Sequence, residues 1–150
     1  MRVVVQRVRE ASVSIDGKLH SRIGPGLLIL AGWEDEDTHE DNAWIAMKIS
    51  KMRLFPDAEG VMNRSVMEAG GELLVVSQFT LHASTKKGNR PSYFKAAHSR
   101  ISVPLYEDFL DVLWNKANLP VKSGVFGADM MVALVNDGPV TITMDSKNKE

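Results

Sequence analysis

Residues Gly24-Pro25-Gly26-Leu27-Leu28-Ile29-Leu30-Ala31-Gly32 decide how this chain is read. Gly24-Pro25-Gly26 breaks the chain, and Leu27 to Gly32 follows as a continuous apolar run of strand length, which implies a strand buried on both faces. Before it, residues alternate between apolar and polar in Arg2 to Val8 and again in Val13 to Ile15, the mark of two half-buried strands. Asp16-Gly17 then forms a tight turn into a further strand near Lys18 to Ile23, so the opening of the chain is antiparallel. After the run, Thr38 with Asp41 reads as a capping box, and Ile45, Ile49 and Met52 recur at helical spacing, predicting a helix over 38–52.

Further along, Asp57-Ala58-Glu59-Gly60 is a turn between short extended pieces, and Glu72 to Leu81 is a strand centred on Leu73-Leu74-Val75-Val76. A second helix is expected to begin near Pro104, with Leu105, Phe109, Val112 and Leu113 on one stripe, and to stop around Asn118 to Pro120. Two final strands, 130–136 and 140–144, are separated by Asn136-Asp137-Gly138-Pro139. No repeat, linker or low-complexity stretch interrupts this order. Seven or eight strands with two main helices predict an α/β fold: a mixed, largely antiparallel sheet curled toward a barrel, in a single domain. That domain is assigned to residues 1–145, and the charged C-terminal tail 146–150 is expected to fray.

Composition narrows the function classes. The chain has 150 residues, 44% apolar and 25% charged, as an ordinary single-core domain does, and needs neither metal nor disulfide to hold together. It has no cysteine, which excludes disulfide frameworks, thiolate nucleophiles and cysteine-ligated zinc. No apolar run approaches the roughly 20 residues that span a bilayer, and Met1-Arg2-Val3-Val4 moves straight into a strand pattern rather than a signal peptide; the expected location is cytoplasmic, with no membrane partner. Net charge is −1, yet no acidic residue lies between Glu72 and Glu107, while Lys86, Lys87, Arg90, Lys95 and Arg100 do. A local basic patch on a near-neutral protein suits a docked anionic substrate better than wholesale wrapping of a duplex, so no DNA partner is expected. An ordinary solvated loop and helix face explains the same charges equally well.

Four histidines, His20, His39, His82 and His98, show no metal-binding spacing, and no metal or other cofactor is expected. The chemically informative stretch is Ser77-Gln78-Phe79-Thr80. In an extended chain Gln78 and Thr80 share a face with His82 next along, which offers a hydroxyl, an amide and an imidazole at a strand end. A hydrolase could use Thr80 as nucleophile and His82 as base; any strand reaching solvent also turns polar at its exit. Gly138-Pro139, followed by Thr141, is either a plain turn or a place where another group approaches the backbone closely.

Taken together, these stretches resemble the D-aminoacyl-tRNA deacylase family, from Met1 to about Asp145. Ser77-Gln78-Phe79-Thr80-Leu81 and Asn136-Asp137-Gly138-Pro139-Val140-Thr141 match its two signature motifs. Met1 to Val8, Gly88-Asn89-Arg90-Pro91-Ser92 and Gly124-Val125-Phe126-Gly127-Ala128-Asp129-Met130 support the match, while Val61 and Tyr93 depart from the common pattern outside the signatures. The resemblance implies a homodimer that hydrolyses the ester of D-aminoacyl-tRNA, and of mischarged glycyl-tRNA, at the acceptor end, sparing L-amino acids by steric exclusion. It implies a pocket of Ser77, Gln78, Phe79 and Thr80, met by a cis Gly138-Pro139 peptide from the partner subunit. Arg7, Asn136, Thr141 and Met130 are implied as supports, and Lys86, Lys87 and Arg90 are expected to meet the tRNA. The vicinal 2′-hydroxyl of the terminal ribose is then the participating group, with the Phe79 and Thr80 N–H groups as oxyanion donors. Two other readings remain: a non-catalytic RNA-binding module in which Tyr93 or Phe94 stacks on a base, and a Thr/His esterase of small molecules.

Overall fold

The computed structural model describes residues 1–149. Its organising element is β1, Arg2–Ile15, one strand where the alternation predicts two. Across the polar pair Arg9-Glu10, which breaks the apolar pattern, the strand is carried on one side only: Glu10 pairs with Val135, and Arg9 has no ladder partner. On one edge β1 pairs antiparallel first with β3, Gly26–Gly32, and then with β2, Lys18–Ile23; on the other it pairs with β8, Met131–Asp145. Asp16 and Gly17 take positive φ values of 51° and 74° in the expected tight turn between β1 and β2.

β3 is buried through Leu27, Leu28 and Ile29 because it is central: it runs antiparallel to β1 and parallel to β6, Glu72–Ser77. β6 in turn pairs parallel with the short β7, Val121–Ser123. Ser21 of β2 donates to the Ser123 carbonyl at 3.0 Å, and Lys122 reaches the Arg22 carbonyl at 2.6 Å, so side chains draw the far edge of the sheet back toward β2. The sheet is mixed and nearly closed into a barrel, as expected. Its two faces hold two cores. Val3, Val5, Leu27, Ile29, Leu73 and Val75 pack under the helices, while Val8, Ala11, Val13, Leu28, Leu74 and Val76 fill the opposite side.

Helix α1, His39–Lys51, is capped by Thr38 with Asp41 as predicted. Helix α2 is Ser99–Ala117, beginning earlier than Pro104 suggests. His98 caps it by accepting the Arg100 N–H, and Pro104 sits inside, where its ring forgoes one helical hydrogen bond. The two helices are tied by Asn42, fully buried, which accepts from the Trp33 indole at 2.8 Å and donates to the Leu105 carbonyl and to Asp108. Between α1 and β6 the chain forms a small hairpin of β4, Phe55–Pro56, and β5, Met62–Arg64, turning at Asp57 to Gly60. Ser146 and Lys147, expected to fray, are held: Ser146 is buried against the Met1 ammonium and Lys147 pairs with Asp41 at 2.9 Å. No helix among the described residues is long and apolar enough to cross a membrane.

At the entrance to β6 the Glu72 carboxylate accepts the Gly24 N–H and meets Lys122 at 3.2 Å, and these two contacts, the first foremost, hold its carboxyl below the ordinary value of 4.5. A depressed carboxyl stabilises the fold above its unfolded pKa and loses that contribution as pH falls through the lower folded value. Glu72→Gln should therefore lower stability at pH 7 by about 1 kcal/mol, with exposure limiting the loss, and should narrow the gap to wild type as pH falls from 5 toward 3. Thermal melts followed by circular dichroism across that range check this; a gap independent of pH would remove Glu72 from the acid limb.

Candidate functional site

The predicted site residues fall into three groups in the described chain. The first gathers where the parallel strands β3 and β6 end side by side. Ala31, Gly32, Trp33, Val76, Ser77, Gln78 and Phe79 line a cleft of about 260 Å³, closed on its other sides by Phe126, Gly127, Ala128 and Met130. The expected strand to Leu81 stops at Ser77: Gln78 still bonds to the Ala31 carbonyl at 2.7 Å, but Phe79–His82 is a 3-10 turn. Gln78 and Thr80 are therefore not alternate residues of a strand. They meet through the turn, the Gln78 amide donating to the Thr80 hydroxyl.

The turn also separates Thr80 from the base that an extended chain would give it. His82 is buried, with its Nδ1 3.0 Å from the Glu34 carboxylate and its Nε2 without a hydrogen-bond partner, so its ring is engaged behind the turn. The N–H groups of Phe79 and Thr80 open the 3-10 turn, where no intrahelical acceptor exists for them. Gly32 permits this arrangement, since a Cβ there would stand 2.6 Å from the Gln78 carbonyl oxygen. Behind the cleft, Tyr106 donates its hydroxyl toward the Val75 and Gly124 carbonyls at 3.3 and 3.4 Å, and burial pushes its phenol above the ordinary value, keeping it neutral. Gly124 leaves room for Met130, whose sulfur would lie 2.5 Å from a Cβ at that position.

The second group surrounds Gly138-Pro139, which is not a turn between two strands. β8 is continuous from Met131 to Asp145, but Gln6 pairs with Thr141 and Val8 with Asn136, so Asp137, Gly138, Pro139 and Val140 stand opposite the single residue Arg7. The surplus is looped out of the ladder. Asn136 and Thr141 close its neck: the Asn136 amide donates to Thr141 Oγ1 at 2.9 Å and accepts the Val140 N–H at 3.1 Å, while Gln6 also donates to Thr141 Oγ1. Arg7, nearly buried, donates from Nε to the Asp137 carbonyl at 3.1 Å and from Nη1 to the Leu54 carbonyl, filling the space beneath the loop. The Gly138-Pro139 peptide is cis, and Gly138 has φ of 127°, with Arg7 Nη2 2.9 Å from where a Cβ would be. None of Arg7, Asn136, Gly138, Pro139 or Thr141 lines the cleft of the same chain.

The third group is the exposed segment 84–92, pinched by paired backbone bonds between Ser84 and Ser92 and carrying Lys86, Lys87 and Arg90. Among the described residues, no group of three or more histidine, aspartate or glutamate side chains is placed to hold a metal ion. The cleft walls Trp33, Ala97, Phe126 and Ala128 escaped sequence reasoning as site residues, because apolar and small side chains carry no chemical signature. For the stretch around Phe126 the available signal was the pair Gly124 and Gly127 in a short loop between strands.

Comparison with known proteins was made against this geometry. The family model described as D-Tyr-tRNA(Tyr) deacylase matches residues 4–145. A D-aminoacyl-tRNA deacylase of Porphyromonas gingivalis is 63% identical over 150 residues, and one of Parabacteroides distasonis is 61% identical, each covering all of both chains. Among solved structures, a c-Myc DNA Unwinding Element Binding Protein superposes with a TM-score of 0.90 at 40% identity, over 97% of this chain and 98% of that one. A probable eukaryotic D-amino acid tRNA deacylase, at 17% identity, shares the fold with a TM-score of 0.81 over 95% of this chain and 97% of that one. With two signature stretches folded into a cleft and a looped-out Gly-Pro, and with relatives of this identity over its whole length, the chain belongs to the D-Tyr-tRNA(Tyr) deacylase family.

Proposed function

We propose that the protein hydrolyses the ester of D-aminoacyl-tRNA, and of mischarged glycyl-tRNA, in the cytoplasm, as a homodimer whose site is shared between subunits. The observation that carries this reading is the cleft lined by Ser77, Gln78 and Phe79, where the 3-10 turn begins with two N–H groups that have no acceptor within it and where His82 is held by Glu34 rather than by Thr80. Water adds to the ester carbonyl, the bond to the ribose 3′-oxygen breaks, and that oxygen takes up a proton, releasing amino acid and tRNA. The Phe79 and Thr80 N–H groups receive the developing oxyanion, and the neighbouring 2′-hydroxyl assists.

Two observations support the composite site. The cleft lacks the Gly138-Pro139 loop of its own chain, and that loop projects from β8, whose outer edge pairs with no strand among the described residues. Met131 is 74% exposed on this strand and Val135 47%, an apolar edge of the kind that dimers cover. A partner's Gly138-Pro139 entering the cleft excludes an L side chain by direct contact. Discrimination of about 10⁴ then requires roughly 5.5 kcal/mol, within reach of a backbone clash but beyond a methylene-sized fit. Lys86, Lys87 and Arg90 meet the phosphates of the acceptor end.

Three measurements test this. Gly32→Ala should displace the Gln78 carbonyl and with it the 3-10 turn, lowering kcat for D-tyrosyl-tRNA by about 10²-fold, the loss typical of an oxyanion donor; wild-type kcat in this variant would place the donors elsewhere. Thr80→Ala should stay within about tenfold of wild type, while tRNA ending in 2′-deoxyadenosine should be nearly inert; a loss of order 10⁴ in the mutant with brisk cleavage of the deoxy substrate would restore Thr80 as nucleophile. Neutralising Lys86, Lys87 and Arg90 together should weaken tRNA binding and flatten the salt slope of affinity by about three while leaving the D-to-L ratio unchanged; an unaltered slope moves the tRNA to another face.

A further inference from the structure

Phe94 stands in water with 97% of its surface exposed, the most exposed of the large apolar side chains among the described residues. Its backbone is nonetheless anchored on both sides. Ser84 and Ser92 exchange backbone hydrogen bonds at 2.7 and 2.9 Å, and beyond Phe94 the Ala96 N–H bonds to the Tyr93 carbonyl, the Ala97 N–H to the Trp33 carbonyl and the His98 N–H to Asp35. The ring is thus presented by a fixed segment rather than trailing from a loose one.

That segment leads out of the cleft. Phe79, which lines the cleft and is 55% exposed, packs edge-to-face on Tyr93 with ring centroids 5.1 Å apart, and Phe94 is the next residue. Around this aromatic run lie Lys86, Lys87, Arg90 and Lys95, in a stretch without an acidic residue from 73 to 106, and none of the four forms an ion pair among the described residues. An isolated ring among unpaired cations matches a polymer that offers both a π-face and phosphates, which is unpaired nucleic acid. A duplex would engage the cations and leave the ring idle, and a protein surface would cover the ring and leave the cations unmatched unless it were strongly acidic.

We propose that Phe94 is a stacking platform for an unpaired base of the RNA strand leading to the acylated terminal nucleotide, with Lys86, Lys87, Arg90 and Lys95 on its phosphates. This rests on the deacylase reading above and extends it to nucleotides outside the cleft. The platform adds affinity for the polynucleotide and leaves the reacting ester untouched, because Phe94 is exposed and does not line the cleft.

The test compares D-tyrosyl-tRNA with D-tyrosyl-adenosine, which carries the ester and the terminal nucleoside alone. Phe94→Ala should raise KM for the tRNA substrate about tenfold, the loss of one base–aromatic stack, with kcat, the D-to-L ratio and hydrolysis of the nucleoside ester unchanged. Phe94→Trp should restore KM to within about twofold of wild type, and Phe94→Leu, apolar but without a π-face, should behave as the alanine variant does. An unchanged KM in Phe94→Ala overturns the platform. So does full retention in Phe94→Leu, which would mark plain apolar docking, or an equal loss on the nucleoside ester, which would put the ring on the terminal adenosine. Wild-type protein inactive on both substrates overturns the deacylase reading itself, a result distinct from any of these.

Discussion

Both edges of β1 are hydrogen-bonded, and most of the molecule follows from that. A strand hydrogen-bonded on both sides requires each neighbour to recover its pairing after every irregularity, at Val13/Ser14 for β2 and on either side of Val8 for β8. β8 can do so only by expelling what does not fit. Its residues from Asp137 to Val140 have no counterpart except Arg7, and they leave the ladder as a loop whose neck is closed by Asn136 and Thr141. The second signature is therefore a consequence of register. Asn136 and Thr141 are the last paired residues on either side, and Arg7 is the residue of β1 that faces the gap and fills it with its guanidinium.

The position of the cleft follows from the other side of the same sheet. β3 and β6 are parallel neighbours, so their chains leave the sheet at one end, and a crevice between diverging strand ends is where α/β sheets characteristically receive ligands. The two chains also approach each other closely at both ends of β3. A Cβ on Gly26 would meet the Glu72 carbonyl oxygen at 2.0 Å, and one on Gly32 the Gln78 carbonyl oxygen at 2.6 Å. The glycines that bracket Leu27 to Ala31 set how near β6 can come, and hence where Gln78 and Phe79 begin their turn.

The fold class, the capping box of α1, the central apolar strand and the turn at Asp16-Gly17 were legible because each is a local pattern with one physical solution. What escaped was decided by partners distant in sequence. Arg9-Glu10 looks like a break but is bridged by β8 alone, through Glu10 and Val135, and Asn136 to Pro139 looks like a hairpin but is an excursion within one strand. The start of α2 was hidden because proline favours a first helical turn, whereas here the His98 cap lies upstream of it. At the site, residue types were readable and their geometry was not. The Thr80 and His82 pairing expected of an extended chain dissolves once the chain coils, turning His82 toward Glu34 and Thr80 toward Gln78.

Under the proposed function, the engagement of Thr80 and His82 with other partners and the backbone character of both signature motifs share one explanation. An aminoacyl ester beside a free 2′-hydroxyl is already activated, so attack needs orientation more than a strong protein base. The harder demand is to refuse the far more abundant L-esters. Handedness at Cα exchanges the positions of a hydrogen and a side chain of unchanged polarity, so a pocket that attracts the side chain gains little discrimination. A wall close to Cα gains more, provided that it does not yield. A flexible side chain would swing aside, whereas a main-chain loop pinned by Arg7 at the Asp137 carbonyl and by Asn136 and Thr141 at its neck has nowhere to retreat. The wall then also accounts for tolerance, because an outward-pointing D side chain, or the hydrogen of glycine, never touches it.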